Sequence, residues 1–397
     1  MMKENVLIVH NYYQVPGGED TVVANEKKML EENGHKVVMY SKNNSELSSY
    51  GFLKKLLLPI NTIFNITTYS DIQKIVRKEK IDIIHVHNTL NVISPSVYYA
   101  ALKMNTPVVQ TIHNFRMLCP GATFYRDNAI CEDCCSKGLL CSVKHSCYRG
   151  SRIQTLACAV STKIHRVMGI YSKLFYVCLT DFNKEKLLNL KQIKEEQIFV
   201  KPNFAQVNIN MMPFSQRKKQ FVFVGRLDEL KGIKVLFDAW KQIEEERALD
   251  DTELLICGTG PLEQWCRDFV IEHGMKRIKL LGFVPNIEAI KIIGESKAIV
   301  LPTQWYEGFP MTIVEAASVG TPVIGSSLGN VGSIIQEGIT GYKFDSKSSK
   351  ALKDALMTSN LDINNEVYEV YEEKYTKEAN YRQLLKCYQG AKAYNGR

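Results

Sequence analysis

Several things are missing from this 397-residue sequence, and each absence narrows what it can be. No apolar run reaches the about 18–20 residues that span a bilayer. The segment Met1–Glu4 runs straight into a short strand-like stretch, Val6–His10, without the long apolar region or small-residue cleavage site of a secretory leader. The expectation is a cytoplasmic chain. Gly 24 and Pro 12 are ordinary numbers, so collagen-like and low-complexity readings are excluded. An apolar share of 45% with 23% charged residues is globular rather than disordered. No Gly-x-Gly-x-x-Gly fingerprint of a dinucleotide site follows the first strand. No Asp-x-Asp pair occurs anywhere, so no catalytic divalent metal is expected. A reducing compartment also argues against a disulfide framework, although there are 11 cysteines.

What is present is periodic. Val6–His10, Lys36–Tyr40, Ile81–His87 and Pro107–Ile112 read as strands alternating with helical segments such as Asp20–Asn33. The rhythm restarts after Asn203 with Gln220–Val224, a helix Lys231–Glu246, Glu253–Cys257, a helix Leu262–His273, Ile278–Leu281, Ile287–Glu295, Ala298–Leu301, a helix from about Pro310, and Pro322–Gly325. Such alternation implies parallel strands with crossover helices. Length suits two domains. The fold class is α/β, with two facing Rossmann-like domains: 1–205, carrying a Cys-rich insert at 119–147, and 206–375. The polar segment Lys201–Pro213 reads as the linker. The last, charged helical stretch, Asn364–Ala393, leads into a terminal helix (376–397) that crosses back to the first domain.

Two segments carry the chemistry. In Glu307-Gly-Phe-Pro-Met-Thr-Ile-Val-Glu315, Pro310 suits the first helical position, which puts Glu307 in the preceding loop and Glu315 on the second turn. The amides of Phe309, Pro310's neighbours Met311 and Thr312, and the positive end of the helix dipole form an anion site at the carboxyl edge of a sheet. The competing reading is two solvated glutamates, which the apolar stretch between them disfavours. Gly225-Arg226-Leu-Asp228-Glu-Leu-Lys231-Gly232 is the first βα turn of the second domain. Its two cations can grip one diphosphate, Arg226 by its fork and Lys231 as a point charge. The alternative is a solvated lysine with Arg226 paired to Asp228. The Gly258-Thr-Gly260-Pro261 turn permits close backbone approach, and Gly17-Gly18 sits at the matching turn of the first domain. His113 ends one strand; His85 and His87 lie near the end of another.

Taken together, Val-Gly-Arg226-Leu-Asp-Glu-Leu-Lys231-Gly, Gly258-x-Gly260-Pro261 and Glu307-x7-Glu315 resemble the retaining glycosyltransferases of the GT-B fold, and more narrowly family 4, over nearly the whole chain. Pro16-Gly17-Gly18, Thr-Ile-His113-Asn and Lys201-Pro202-Asn203 also resemble that pattern. The resemblance implies a nucleotide-diphosphate sugar held by the second domain and an acceptor bound by the first. Arg226 and Lys231 would hold the diphosphate and Glu315 the ribose. Glu307, with the Phe309–Thr312 amides, would contact the donor sugar, and the backbone of Phe283 and Val284 the base. His113 would lie near the sugar and Thr180 near the phosphate end, with Gly17 and Gly18 also on the donor. The catalytic set implied is His113, Glu307, Arg226 and Lys231. Where the family usually has Pro-Phe-Gly after the first Glu, this sequence has Gly308-Phe309-Pro310-Met311, which bears on sugar specificity. An epimerase or phosphorylase on the same fold, or a non-catalytic sugar-nucleotide-binding subunit, are the alternatives.

Six of the eleven cysteines fall between Cys119 and Cys147. Cys119, Cys131, Cys134 and Cys147 form the preferred set for a structural Zn²⁺ in a loop that lacks a core, against free or redox-sensitive thiols. Lys+Arg exceed Asp+Glu, 50 to 42, and the seven basic residues from Ser136 to Thr180 meet no acidic one. With Phe52-Leu-Lys54-Lys55-Leu-Leu-Leu58, this basic face suggests a first domain resting peripherally on an anionic membrane, at the inner face of the cell membrane. The alternative is a packed helix with solvated charges. No nucleic-acid module is apparent. The function expected is transfer of a sugar to a glycan or polyprenyl-linked acceptor in surface polysaccharide assembly (capsule, O-antigen or exopolysaccharide).

Overall fold

The alternating pattern folds into two six-stranded parallel sheets. The computed structural model describes every residue except Met1, Met2, Val15, Pro16, Tyr50, Asn91, Asp250, Gly396 and Arg397, and omits the side chains of residues 48, 49, 52–57 and 395. Of the features singled out above, Pro16 and the side chains of residues 52–57 in the basic–apolar run therefore lie outside the described residues. The chain divides into two units. Unit 1 is Met1–Arg126, Cys131–Pro202 and Asn380–Arg397; unit 2 is Asp127–Ile130 and Asn203–Ala379.

In unit 1, strands β1 (Asn5–Tyr12), β2 (Lys36–Asn43), β3 (Ile83–Asn88), β4 (Val108–Ile112), β5 (Phe175–Cys178) and β6 (Ile198–Val200) lie in the order β2-β1-β3-β4-β5-β6. The chain leaves β1 for one side and later returns to its other side for β3, so the topological switch point falls between them. Every residue of β3 is buried, as expected for a parallel strand covered on both faces. Its polar members, His85 and His87, must then find partners inside.

They do so around a buried ion pair. Glu26, on the helix Gly18–Glu32, lies 2.7 Å from Lys201 Nζ, with side chains 1% and 0% exposed. Burial alone would raise the Glu26 pKa, but the Lys201 ammonium, helped by His85, holds it below the usual value. Lys201 also donates to Asn380 Oδ1 at 2.9 Å, and His85 contacts Tyr388 at 2.9 Å and Thr111 at 2.7 Å. Two of these partners, Asn380 and Tyr388, come from the last helix, Lys377–Asn395, which is why its residues from Asn380 onward belong to unit 1.

In unit 2, β7 (Gln220–Val224), β8 (Glu253–Cys257), β9 (Ile278–Gly282), β10 (Ala298–Leu301), β11 (Val323–Ser326) and β12 (Gly341–Phe344) lie in the order β9-β8-β7-β10-β11-β12. Here the switch point separates β7 from β10. The helix Ile233–Glu245 buries Ile233, Leu236, Phe237, Trp240 and Ile243, spaced three and four apart, against Phe221 and Phe223 of β7.

The segment from Lys201 to Pro213 contains no helix or strand, and the boundary between the two units falls within it, at Pro202–Asn203, although Lys201, Asn203, Phe204 and Ala205 are buried. The charged stretch Asn364–Ala393 divides into Asn364–Lys374 and the terminal helix Lys377–Asn395; between them Tyr375 turns inward, 7% exposed, while its carbonyl accepts from Ala205 N–H.

Removing one partner of a buried pair strands the other charge. Lys201→Met is therefore expected to destabilise unit 1 by about 3–5 kcal/mol. Denaturant titration checks this, and a loss below about 1 kcal/mol would contradict the pairing.

Candidate functional site

At the unit 2 switch point, β7 and β10 deliver the two segments that carry the charged residues. The turn after β7 is shaped by Asp228, whose carboxylate accepts from Lys231 N–H at 3.0 Å. Gly232 has φ +70, and a Cβ there would lie 1.8 Å from the Pro302 carbonyl oxygen. Only glycine lets this turn press against the chain leaving β10. The consequence is direct: Lys231 Nζ lies 2.7 Å from Glu307 Oε2, with side chains 30% and 9% exposed. The structure thus brings together two site residues 76 positions apart.

The Glu307 loop is held from behind. Asn330 Nδ2 donates to the carbonyls of Glu307 and Gly308. Pro310 occupies the N-cap of the helix Met311–Ser318, one position before the first helical residue where it was expected. Lacking an N–H, Pro310 adds no donor of its own at the helix start. The opposite end is capped by Arg217, which donates to the carbonyls of Val319 and Gly320, both at 2.9 Å, complementing the negative end of the helix dipole. Burial lowers the Arg217 pKa to about 10. Glu315 accepts from Asn286 Nδ2 at 2.8 Å, and burial raises its pKa. Arg217, Asn286 and Asn330 were not anticipated from sequence. The Gly329-Asn330 pair just after a strand was a usable signal; lone Arg217 and Asn286 gave none.

Beside the turn lies an open depression of about 440 Å³, bordered by Val224, Gly225, Arg226, Cys257, Gly258, Thr259, Gly260, Phe283 and Val284. Its walls are zipped together by backbone bonds from Gly225 N–H to Cys257 O and Leu227 N–H to Thr259 O, each 3.0 Å. A Cβ on Gly258 would meet the Gly225 carbonyl at 1.8 Å. Arg226 is exposed, its Nε 3.6 Å from Asp228 Oδ2, which is the pairing the alternative reading foresaw. An exposed contact of this kind is worth at most about 1 kcal/mol, so a multiply charged anion competes with it readily.

The remaining predicted residues belong to unit 1. Gly17 caps the helix Gly18–Glu32, and its N–H is taken by Asp20 Oδ2 at 3.0 Å; both Gly17 and Gly18 are exposed. Thr180 is buried and caps the helix Asp181–Leu187 by accepting from Asn183 N–H. His113 Nε2 lies 2.9 Å from His87 Nδ1 with the rings stacked, so the two histidines act as one unit. Burial pushes His113 down to about 3 and His85 to about 4, and it holds His87 well below its ordinary value. His113 lines a small cavity of about 80 Å³ with His87, Asn114 and Arg116.

The expected zinc set is not assembled. Among the described residues, the one trio whose ligand atoms all lie within 4.8 Å of one another is Glu26, His85 and His87. Lys201 already supplies the positive charge there. Cys119, Cys131, Cys134 and Cys147 do not meet that spacing. Cys119 instead hydrogen-bonds Cys134, which lowers the Cys119 pKa to about 6 despite its burial. The insert also does not lack a core, because Cys134, Leu139 and Ala159 pack with Cys141 and Val143.

The basic stretch does contain a helix, Arg152–Val167, but its polarity runs opposite to that of a surface helix. It buries Thr155, Cys158, Ala159, Ser161, Thr162 and His165 and exposes Ile153, Leu156, Val160 and Val167. Among the described residues no helix is long and apolar enough to cross a membrane.

Two family models match the chain: "Glycosyl transferases group 1" over residues 208–385 and "Glycosyltransferase Family 4" over residues 16–128. An uncharacterized glycosyltransferase of Methanocaldococcus jannaschii is 27% identical over 266 residues, 66% of this chain and 62% of its own length. The chain therefore spans less than two thirds of that relative. An Escherichia coli UDP-Gal:alpha-D-GlcNAc-diphosphoundecaprenol alpha-1,3-galactosyltransferase is 24% identical over 365 residues, 86% of this chain and 84% of that one. Among solved structures, a Rickettsia africae glycosyltransferase superposes with TM-score 0.68 at 18% identity, covering 98% of each chain. Anabaena HepE in complex with UDP gives 0.64 at 15% identity, covering 97% of this chain and 99% of that one. These likenesses establish the two-sheet fold.

The buried titratable groups of unit 1 set its pH response. Unfolded histidines titrate near 6.5, so unfolding at lower pH takes up protons on His85, His87 and His113, and stability is lost as pH falls below about 6.5. Glu19 works in the opposite direction. Burial pushes it up to about 8, even though it accepts from the Tyr13 hydroxyl, so its contribution is lost as pH rises toward 8. Relative to the wild type, Glu19→Gln is expected to gain stability progressively as pH rises from about 4.5 to about 8, the window in which the buried carboxyl stays protonated only in the folded state. Melting profiles of the two proteins check this, and a difference that does not change with pH across that window would contradict the assignment.

Proposed function

We propose that the chain, which matches two glycosyltransferase family models over residues 208–385 and 16–128, moves a sugar from a nucleotide-diphosphate sugar onto a glycan or polyprenyl-linked acceptor, with retention, in surface polysaccharide assembly. The observation carrying the reading is the Lys231–Glu307 pair at the switch point, beside the Arg226-lined depression. In the reaction the bond from the anomeric carbon to the phosphate oxygen breaks, and the acceptor oxygen bonds to that carbon on the same face. The acceptor proton passes to a phosphate oxygen. Charge grows on the departing diphosphate, where Arg226, Lys231 and the amides of Phe309, Met311 and Thr312 stabilise it, while the sugar becomes oxocarbenium-like. Glu307 accepts from sugar hydroxyls once Lys231 turns to the diphosphate. Glu315, oriented by Asn286, accepts from the ribose, and the base rests near Phe283 and Val284. In unit 1, His113 is held neutral by burial and so offers sugar hydroxyls a hydrogen-bonding group rather than a charge.

The names of the relatives support this direction. The E. coli relative is named for a diphosphoundecaprenol-linked acceptor, and HepE was solved with UDP. The exposed apolar stripe on Arg152–Val167 among basic residues supports peripheral attachment to an anionic membrane from the cytoplasmic side.

Arg226→Ala and Lys231→Ala are each expected to reduce turnover at least about 10²-fold, because each removes a fixed cation from the developing charge. A screen of nucleotide sugars with radiolabelled product detection checks this. Wild-type rates in both variants would remove the diphosphate role.

A further inference from the structure

Beside the inverted helix Arg152–Val167 lies an open groove of about 410 Å³. Its walls are Leu47, Leu58, Pro59, Ile153, Ala157 and Cys158, with Tyr148 and Arg149 also on its lining. It shares the lining residues Thr62 and Cys158 with the smaller cavity that holds His113, His87, Asn114 and Arg116, so the two are neighbours. Tyr148 gathers two cations where they meet: the guanidinium carbons of Arg116 and Arg149 lie 5.1 and 5.5 Å from the centre of its ring. From Ser136 to Thr180 no acidic residue opposes this charge. Glu19, whose charge acts on Arg116, is held by burial up to about 8 and is therefore largely uncharged at neutral pH.

Apolar groove, paired guanidiniums and polar cavity follow one another in the order of the parts of a lipid-linked sugar: tail, diphosphate, glycan. We propose that the groove between the helices Phe52–Ile63 and Arg152–Val167 receives the first isoprene units of a polyprenyl diphosphate acceptor, with Arg116 and Arg149 on its diphosphate and its first sugar directed to His113. The inference rests on the transferase reading and deepens it by assigning a lipid subsite. The exposed Ile153, Leu156, Val160 and Val167 continue the apolar surface outward from the groove, where the rest of a long tail stays in the bilayer. Burying apolar surface supplies the affinity for the tail, and charge-assisted hydrogen bonds from two guanidiniums supply it for the head.

The test is equilibrium binding of geranylgeranyl diphosphate to the full chain, with geranylgeraniol and inorganic pyrophosphate as tail-only and head-only probes. Ala157→Trp fills the groove from a half-buried position. Ile153→Asp charges its exposed wall, where folding is not at stake. Both should weaken geranylgeranyl diphosphate at least about tenfold and leave pyrophosphate within about twofold, whereas Arg149→Glu should weaken both anions by about tenfold. Unchanged binding of geranylgeranyl diphosphate in Ala157→Trp and Ile153→Asp would overturn the subsite. Equal affinity for geranylgeraniol in the wild type would also overturn it, since that describes a membrane-contact surface only. Nucleotide-sugar turnover is read separately. If it is absent while lipid binding responds as stated, the transferase reading fails and the groove stands; if it is present with unresponsive lipid binding, the groove fails alone.

Discussion

The contact on which the candidate site of unit 2 depends is the ion pair between Lys231 and Glu307. It joins the first turn after β7 to the loop after β10, and it exists because Gly232 allows the turn to lie against Pro302. An ammonium and a carboxylate held this closely, with the carboxylate nearly buried, are costly to separate unless something replaces the lost partner. Under the proposed function a diphosphate would do so for Lys231 and sugar hydroxyls for Glu307, so that the pair would be a resting arrangement that a donor resolves in both directions at once. The surrounding structure keeps each member in reach. Asn330 fixes the Glu307 loop, Asp228 fixes the Lys231 turn, and Arg217 satisfies the far end of the helix whose amides complete the anion site.

Unit 1 is organised around a different charge. Glu26 and Lys201 are fully buried, and the polar residues of β3 and β4 arrange themselves about them. His87 links that centre to His113, so the histidine on the ligand-facing side of the cavity inherits its orientation from the core. Burial keeps the imidazoles neutral. This makes the cavity a hydrogen-bonding rather than an electrostatic surface, and it leaves the task of attracting an anion to Arg116 and Arg149 nearby.

Much of the fold was legible because parallel sheets write themselves as short apolar runs between amphipathic helices. The strands Gln220–Val224, Glu253–Cys257 and Ala298–Leu301 fall where periodicity put them. The start of the terminal helix was legible to within a residue, but the inward turn of Tyr375 was not, because the residues around it are as helix-compatible as their neighbours. The Lys231–Glu307 contact was legible only in part: topology places the turn beside the Glu307 loop, but the close approach depends on Gly232, whose role appears only when Pro302 is placed beside it. The zinc expectation finds no support in the ligand spacing of Cys119, Cys131, Cys134 and Cys147, and cysteine spacing alone could not show that Leu139, Ala159 and Val143 give the insert apolar packing of its own. The helix Arg152–Val167 was read by its charges, and its inverted apolar face became apparent only from exposure.

The most direct measurement is calorimetric titration of the nucleoside diphosphate that binds the wild-type chain into two variants, Lys231→Met and Glu307→Gln. If the ammonium is shared between carboxylate and diphosphate, Lys231→Met weakens binding at least about tenfold, whereas Glu307→Gln frees the ammonium and binds as tightly as wild type or tighter. Equal weakening in both variants, or no change in either, would contradict the account.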